Sequence, residues 1–273
     1  MTPSYWQQLE RVGFGFQVSS FLSTAGDEDN MLEDMVVGMD DLKNIVITVS
    51  AVDGSEFDPV IRGRRWNFEL DLGIPVQYWP SVTENLKRGQ AMAVYPVLFS
   101  QGVNEMQTIA NLVGDSKIQD VINRHGFEAM REYAERYMAA FPDDPNCSAI
   151  REHMRILHQE VATRGRTKNV EMLWQAERLA RSMNMGRTTC CKSGKDRTSM
   201  AVTLEEVTVM RQFYEIDEIT KESVLSNLRS KGVRIENVLK NIGEKRYAFN
   251  VLQVQALPAM LRPPDGYYGS STT

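Results

Sequence analysis

Apolar positions fall at helical spacing twice in the first forty residues. Tyr5, Trp6, Leu9, Val12 and Phe16 form one stripe, and Met31, Leu32, Met35, Val36 and Met39 form another, so two helices are predicted on either side of the acidic turn Gly26-Asp27-Glu28-Asp29-Asn30. The pattern then changes. Ile45 to Val49, Trp66 to Leu72, Val76 to Trp79 and Ala91 to Phe99 are β-branched or aromatic runs bounded by Gly, Pro, Asp and Ser, which predicts strands. Helical periodicity returns from Asn104 to about Met185, broken at Pro142-Asp143-Asp144-Pro145 and at Arg164-Gly165-Arg166. Thr188-Thr189-Cys190 predicts a short strand that runs into Cys191-Lys192-Ser193-Gly194-Lys195-Asp196-Arg197, and an apolar helical segment starts at Thr198. Three more helices follow, ending near Leu257, before an irregular tail from Arg262 to Gly269. No internal repeat and no long linker divides the chain, so residues 1–273 are expected to form a single catalytic unit of α/β class: a modest sheet ending in an anion-binding loop, with helices around it.

Composition narrows this picture. With 273 residues, 42% hydrophobic and 25% charged, the chain can bury a sizeable core and lies outside the collagenous and disordered classes. No apolar run reaches the ~18 to 20 residues that span a bilayer, and the N-terminus lacks a signal-peptide pattern, so a cytoplasmic location is expected. Three cysteines, Cys147, Cys190 and Cys191, are too few and too oddly placed for a disulfide framework. The net charge of -5 conceals a gradient: residues 1–58 carry 2 basic and 11 acidic side chains, whereas residues 151–273 carry 20 and 14. An anionic ligand is therefore expected to meet the C-terminal half, and nothing in the pattern points to nucleic acid.

Cys191 and Arg197 stand in the spacing Cys-x5-Arg, between a predicted strand and a helix N-terminus. Such a loop converges backbone N–H groups on one oxyanion, and the same field lowers the thiol pKa. The residues suit a metal-independent, two-step phosphoryl transfer with no cofactor. Thiolate Cys191 attacks phosphorus, Arg197 grips two non-bridging oxygens, and water hydrolyses the phosphocysteine. Thr198 can donate its hydroxyl to the Cys191 sulfur or cap the helix. Asp196 is the nearest candidate for the acid that protonates the leaving group, with orientation of Arg197 or helix capping as its alternatives; Asp53, Asp58 and Asp115 are further acid candidates. Ser193 and Gly194 complete the loop backbone, and Lys192 and Lys195 exceed what one phosphate requires, which favours a substrate with several. Cys190 alternates with Cys191 and is expected to face the core. His125, His153 and His158 form no metal-ligand motif, and no metal site is expected.

The segment Cys191 to Met200, Cys-Lys-Ser-Gly-Lys-Asp-Arg-Thr-Ser-Met, resembles the active-site loop of the inositol polyphosphate 4-phosphatases, shared with bacterial inositol phosphate phosphatases. Tyr5 to Glu10, Met31 to Met35, Gln101 to Thr108 and Arg262 to Gly266 also resemble that family's C-terminal region. The resemblance implies removal of the 4-phosphate of phosphatidylinositol 3,4-bisphosphate, with soluble inositol phosphates as lesser substrates. It makes Cys191 the nucleophile, Arg197 the phosphate-binding arginine, and Lys192 and Lys195 the two loop lysines. Asn104 or Glu105, in a second shared motif, would position Asp196 or the inositol ring, or else Asn104 simply starts a helix.

Family members are usually longer and carry a lipid-binding C2 domain, for which 273 residues leave no room, so a catalytic region of a longer protein is expected. Peripheral contact with anionic membrane, at the endosome or plasma membrane by resemblance, would use Arg229, Lys231, Arg234, Lys240, Lys245 and Arg246, or Arg62-Gly63-Arg64-Arg65. Other readings stay open: a phosphoinositide phosphatase of other regioselectivity, a dual-specificity or protein phosphatase with the same chemistry, and an inactive phosphoinositide-binding scaffold.

Overall fold

A computed structural model describes residues 4–55, 57–113, 117–162 and 168–269. Helix α1 (Tyr5–Arg11) starts at a capping box made by Ser4 and Gln7 and stops before Gly13, whose φ of +103° breaks the helical path. Phe16 therefore belongs not to that helix, as its spacing predicts, but to strand β1 (Phe14–Ser20). There Phe14, Phe16 and Val18 alternate with Gly15, Gln17 and Ser19, the period-2 signal that the longer helical stripe obscures. Helix α2 (Asp27–Leu42) follows, with the acidic turn as its first turn, where carboxylates suit the helix dipole.

Strands β2 (Val46–Val52), β3 (Asp58–Arg62) and β4 (Glu69–Pro75), the short helix α3 (Glu84–Lys87) and strand β5 (Met92–Ser100) come next. Strand β3 was not foreseen. Trp66 lies in the turn before β4, and the stretch expected as a strand from Val76 to Trp79 is a turn leading into a 3-10 helix at Trp79–Ser81, where Pro80 has no N–H to give a sheet ladder. The remaining elements are α4 (Glu105–Val113), α5 (Lys117–Ala140), α6 (Cys147–Ala162), α7 (Val170–Ser182), β6 (Gly186–Cys190), α8 (Asp196–Tyr214), α9 (Glu218–Lys231), α10 (Val233–Ile242) and α11 (Val251–Ala256). The Pro142–Pro145 break falls between α5 and α6 as expected, and Arg164-Gly165-Arg166 lies outside the described residues.

The six strands form one mixed sheet in the order β3-β4-β2-β5-β1-β6, with β5, β1 and β6 mutually parallel. Strand β5 is apolar on both faces. Val97 and Phe99 pack with Met130, Tyr133 and Leu173 from α5 and α7, while Leu98 packs with Leu32 and Met39 from α2. The short edge strand β6 is held by Arg187, which makes two 2.9 Å bonds to Glu205 on α8 and lies 3.2 Å from Glu177 on α7. This cluster fixes the angle at which β6 hands over to α8.

Helix α5 crosses β5 so closely at Gly126 that an added Cβ would stand 2.1 Å from the Leu98 carbonyl oxygen. Gly126→Ala is therefore expected to lower the unfolding free energy by about 1–3 kcal/mol or more through overpacking, read as a lower urea midpoint at unchanged slope. An unchanged midpoint would contradict that contact.

Candidate active site

Because β5, β1 and β6 run parallel, their C-terminal ends share one edge of the sheet. The Phe21 N–H donates to the Cys190 carbonyl at 2.9 Å and the Gln101 N–H to the Ser20 carbonyl at 2.9 Å, so three loops leave that edge side by side. Such an edge is where open α/β sheets place ligands. The loop after β6 runs from Cys191 to Lys195, turns through Gly194 at a φ of +62°, and enters α8 at Asp196. A cleft of about 470 Å³ opens over it, with Cys191, Ser193, Lys195, Asp196 and Arg197 in its wall.

Cys191 is only 7% exposed. Burial alone pushes its thiol up, but the Thr198 hydroxyl, the Arg197 charge and the backbone N–H groups of Thr198 and Lys195 outweigh that and bring it below its ordinary value. The Thr198 hydroxyl donates to Sγ at 3.2 Å, one helical turn into α8. Cys190 behaves oppositely. It packs at the edge of the cluster around Val18 and Leu22, and burial pushes its thiol up. Cys147 is buried with its Sγ 3.3 Å from the Phe141 carbonyl.

Arg197 is anchored by the acidic N-terminal segment. One guanidinium nitrogen donates to the Phe21 carbonyl at 2.9 Å and to Glu28 Oε2 at 3.1 Å, and the other to Glu28 Oε1. Glu28 in turn accepts from the Ser23 N–H at 2.7 Å and the Ser23 hydroxyl at 2.9 Å. Desolvation pushes the Glu28 carboxyl up, yet the bonds to Arg197, its charge and the Ser23 donors together hold it below the ordinary range. Glu28 was not singled out from sequence. Its only signal is membership of the acidic turn, which the fold brings against the loop. Lys192 also reaches the turn, at 3.4 Å from Asp27, but on the exposed rim of the loop, where such a pair contributes little.

Asp196 lines the cleft with both oxygens engaged. Arg234 approaches Oδ1 with its Nε at 2.8 Å, and the Ala248 N–H donates to Oδ2 at 3.0 Å. The other acid candidates are elsewhere: Asp53 follows β2, Asp58 opens β3 at the opposite edge of the sheet, and Asp115 lies outside the described residues. Asn104 joins two readings, since it lines the cleft while its side chain accepts from the Gln107 N–H at 3.1 Å and so starts α4. Glu105 beside it accepts from Gln253 of α11 at 2.9 Å. Gln253, Phe249 and Leu257 form the far wall, which sequence reasoning missed because it returns from the C-terminal segment.

Several of the basic residues expected as a lipid contact are engaged within the protein. Arg229 is buried, donating to the carbonyls of Met200, Met260 and Arg262, and burial pushes it down to about 10. Arg234 serves Asp196, Lys245 pairs with Glu236, and Arg65 pairs with Asp41. Among the described residues no group of three or more His, Cys, Asp or Glu is arranged to hold a metal, and no helix is long and apolar enough to cross a membrane. Chemically, the cleft combines a thiol biased toward thiolate, a fixed guanidinium and the N-terminus of a 19-residue helix, a set suited to nucleophilic attack on an anionic centre.

Residues 2–261 match the family model described as the INPP4A C-terminal domain. The chain is 41% identical over 276 residues to the type II inositol 3,4-bisphosphate 4-phosphatase of Rattus norvegicus and to the inositol polyphosphate 4-phosphatase type II of Homo sapiens. Each alignment covers 99% of this chain and 30% of the relative, so the chain spans less than a third of those proteins. A more distant relative is the human phosphatidylinositol 3,4,5-trisphosphate-dependent Rac exchanger 2 protein, 23% identical over 86% of this chain and 17% of that protein. That name speaks of exchange and not of hydrolysis, so an activity has to be argued from the cleft.

The Thr198 hydroxyl stabilises the charged form of Cys191, so its removal must raise the thiol pKa. The pH midpoint for alkylation of Cys191 by iodoacetamide, followed by peptide mass spectrometry, is expected to lie below that of a free thiol and to move upward in Thr198→Ala. An unmoved midpoint would remove Thr198 from the thiolate's support.

Proposed function

Since the chain belongs to the INPP4A C-terminal domain family, we propose that it is a phosphoinositide phosphatase that removes the 4-phosphate of phosphatidylinositol 3,4-bisphosphate through a phosphocysteine. The observation that carries this is Cys191 at the foot of the cleft, its sulfur bonded by Thr198 and its pKa lowered beside an Arg197 already held in place. The names of the 41% identical relatives support the substrate class and the 4-position.

Cys191 thiolate attacks phosphorus in line, forming the S–P bond as the P–O bond to the inositol ring breaks. Arg197 and the loop N–H groups take up the charge that spreads over the non-bridging oxygens. The departing alkoxide takes a proton from Asp196, which takes that proton up from solvent as the substrate's charges compete for Arg234, and the carboxylate left behind then accepts a proton from the attacking water. Water then attacks the phosphocysteine, and the Thr198 hydroxyl stabilises the sulfur as it leaves. Ser193 and Gly194 shape the loop, Lys195 in the cleft wall meets the neighbouring phosphate, and Lys192 on the rim adds attraction for a polyanionic headgroup. Asn104 meets a ring hydroxyl from the opposite wall. No step draws on a metal or cofactor, and the substrate is reached by peripheral contact with an anionic membrane.

The scaffold reading has one observation in its favour, the relative named as a Rac exchanger, and catalysis separates the two. Phosphate release from phosphatidylinositol 3,4-bisphosphate is expected to fall by about a thousandfold or more in Cys191→Ser and to persist in EDTA. Activity that survives the serine substitution, or disappears with chelator, would sink the mechanism; release of the 3-phosphate instead would leave the chemistry and remove the regiochemistry.

Asp196→Asn is expected to slow cleavage of the inositol ester by about a hundredfold or more while sparing an aryl phosphate, whose leaving group needs no proton. Equal losses on the two substrates would take the acid role from Asp196.

A further inference from the structure

The cleft is bounded on one side by α4 and α11, and the two helices are tied to each other. Gln253 donates to Glu105, and the Lys168 ammonium bridges the Val103 carbonyl at 2.9 Å and the Ala256 carbonyl at 2.6 Å. Helix α11 starts at a second capping box, made by Asn250 and Gln253. This wall is a braced unit, not two loose segments.

Its exposed surface carries apolar side chains, with Thr108 and Gln255 also exposed. On α4, Ile109 and Leu112 follow the cleft residue Glu105 at i+4 and i+7, so the three share one helix face, and Ile109 and Leu112 are 51% and 68% exposed. On α11, Val251 and Leu252, directly before the cleft residue Gln253, are 57% and 74% exposed. Single exposed apolar side chains are ordinary, but these four lie on two helices bonded to each other beside one cleft. The adjoining loop presents Lys192 and Lys195, both exposed.

We infer that the α4–α11 ridge is a membrane-docking surface, with Ile109, Leu112, Val251 and Leu252 entering the lipid interface while the headgroup enters the cleft. The inference rests on the phosphoinositide reading of the same site. Its physical basis is reach. Cys191 lies nearly buried at the foot of the cleft, and an inositol headgroup projects only a short way from the bilayer, so the elements that form the cleft's lip must touch the surface from which it projects. An apolar lip lowers the free energy of that contact, and the loop lysines complement the anionic headgroup plane. Two rigid helices give the contact without an ordering cost. The occupant is thus a lipid surface and not a free inositol phosphate, which needs only the cleft.

The test compares two substrates with the same headgroup: phosphatidylinositol 3,4-bisphosphate carried as a minor component in phosphatidylcholine vesicles, and soluble inositol 3,4-bisphosphate. The double variant Ile109→Asp with Leu252→Asp is expected to lose about tenfold or more of the vesicle rate and to keep the soluble rate within about twofold. Phe213→Asp with Ile219→Asp, apolar positions at least as exposed and lying either side of the α8–α9 turn, is expected to change neither. Leu252→Trp should strengthen vesicle binding, since indole favours the interface. An undiminished vesicle rate in the Asp pair, or equal losses on both substrates, would overturn the ridge. If the wild type releases phosphate from neither substrate, the phosphatase reading fails. Co-sedimentation with the same vesicles then judges the ridge separately: binding lost in the Asp pair upholds it, binding retained overturns it. A wild-type dimer by light scattering that becomes monomeric in the Asp pair would assign the surface to self-association and also overturn the inference.

Discussion

A buried arginine cannot stand alone in a protein interior, and the arrangement of the cleft follows from how Arg197 is neutralised. Its guanidinium is bound by Glu28 and by the Phe21 carbonyl before any ligand arrives. Glu28 belongs to the first turn of α2, and Phe21 is the first residue past β1. One side chain on α8 therefore ties together the end of a strand, the start of a helix on the other side of the sheet edge, and the Cys191 loop. Removing one partner would leave an uncompensated charge in a site of low dielectric, which is far more costly than the pair's own modest net contribution. The pair also keeps the guanidinium plane fixed, so its orientation does not have to be found when an anion binds.

The same logic recurs around the loop. Arg187 holds β6 against α7 and α8 through Glu177 and Glu205, Arg234 holds Asp196, and Arg229 fastens the C-terminal segment to α8 through backbone carbonyls. Arg187, Arg229 and Arg234, which sequence composition assigns to a general basic excess, each have a structural partner here. The field left over at the cleft comes from the helix N-terminus, the loop N–H groups and the lysines of the loop, which are exposed enough to meet a ligand. The thiol is tuned by this local field, in which the Thr198 hydroxyl and the Arg197 charge overcome the cost of burial.

Much of the fold was legible where a period persisted over a long stretch without competition. Helices α2, α5 and α8 and strand β5 lie close to where their patterns place them, and the strand–loop–helix around Cys191 matches its reading. The failures have physical causes. Phe16 continues a helical stripe by coincidence of spacing, and only the positive φ at Gly13 shows that the chain has already turned into β1. Val76 to Trp79 has strand-like residues, but after Val76 the chain turns into the 3-10 helix at Trp79–Ser81, where Pro80 has no N–H to give a ladder. Strand β3 is short and takes its stability from β4. Arg229 is buried and Arg234 is paired with Asp196, which a count of charges along the chain does not show.

The sequence by itself determined the chemistry-bearing groups: a cysteine, an arginine six residues on, a hydroxyl beside it and a loop between strand and helix, because these lie within one short segment, Cys191 to Thr198, and local geometry brings them together. The tertiary structure alone decided what surrounds them. Glu28 comes from more than 160 positions upstream, Gln253 and Phe249 from the C-terminal segment, and the exposed ridge from helices far apart in the chain. Those groups meet only because three parallel strands end at one edge of a sheet, a relation between distant residues that no local spacing encodes.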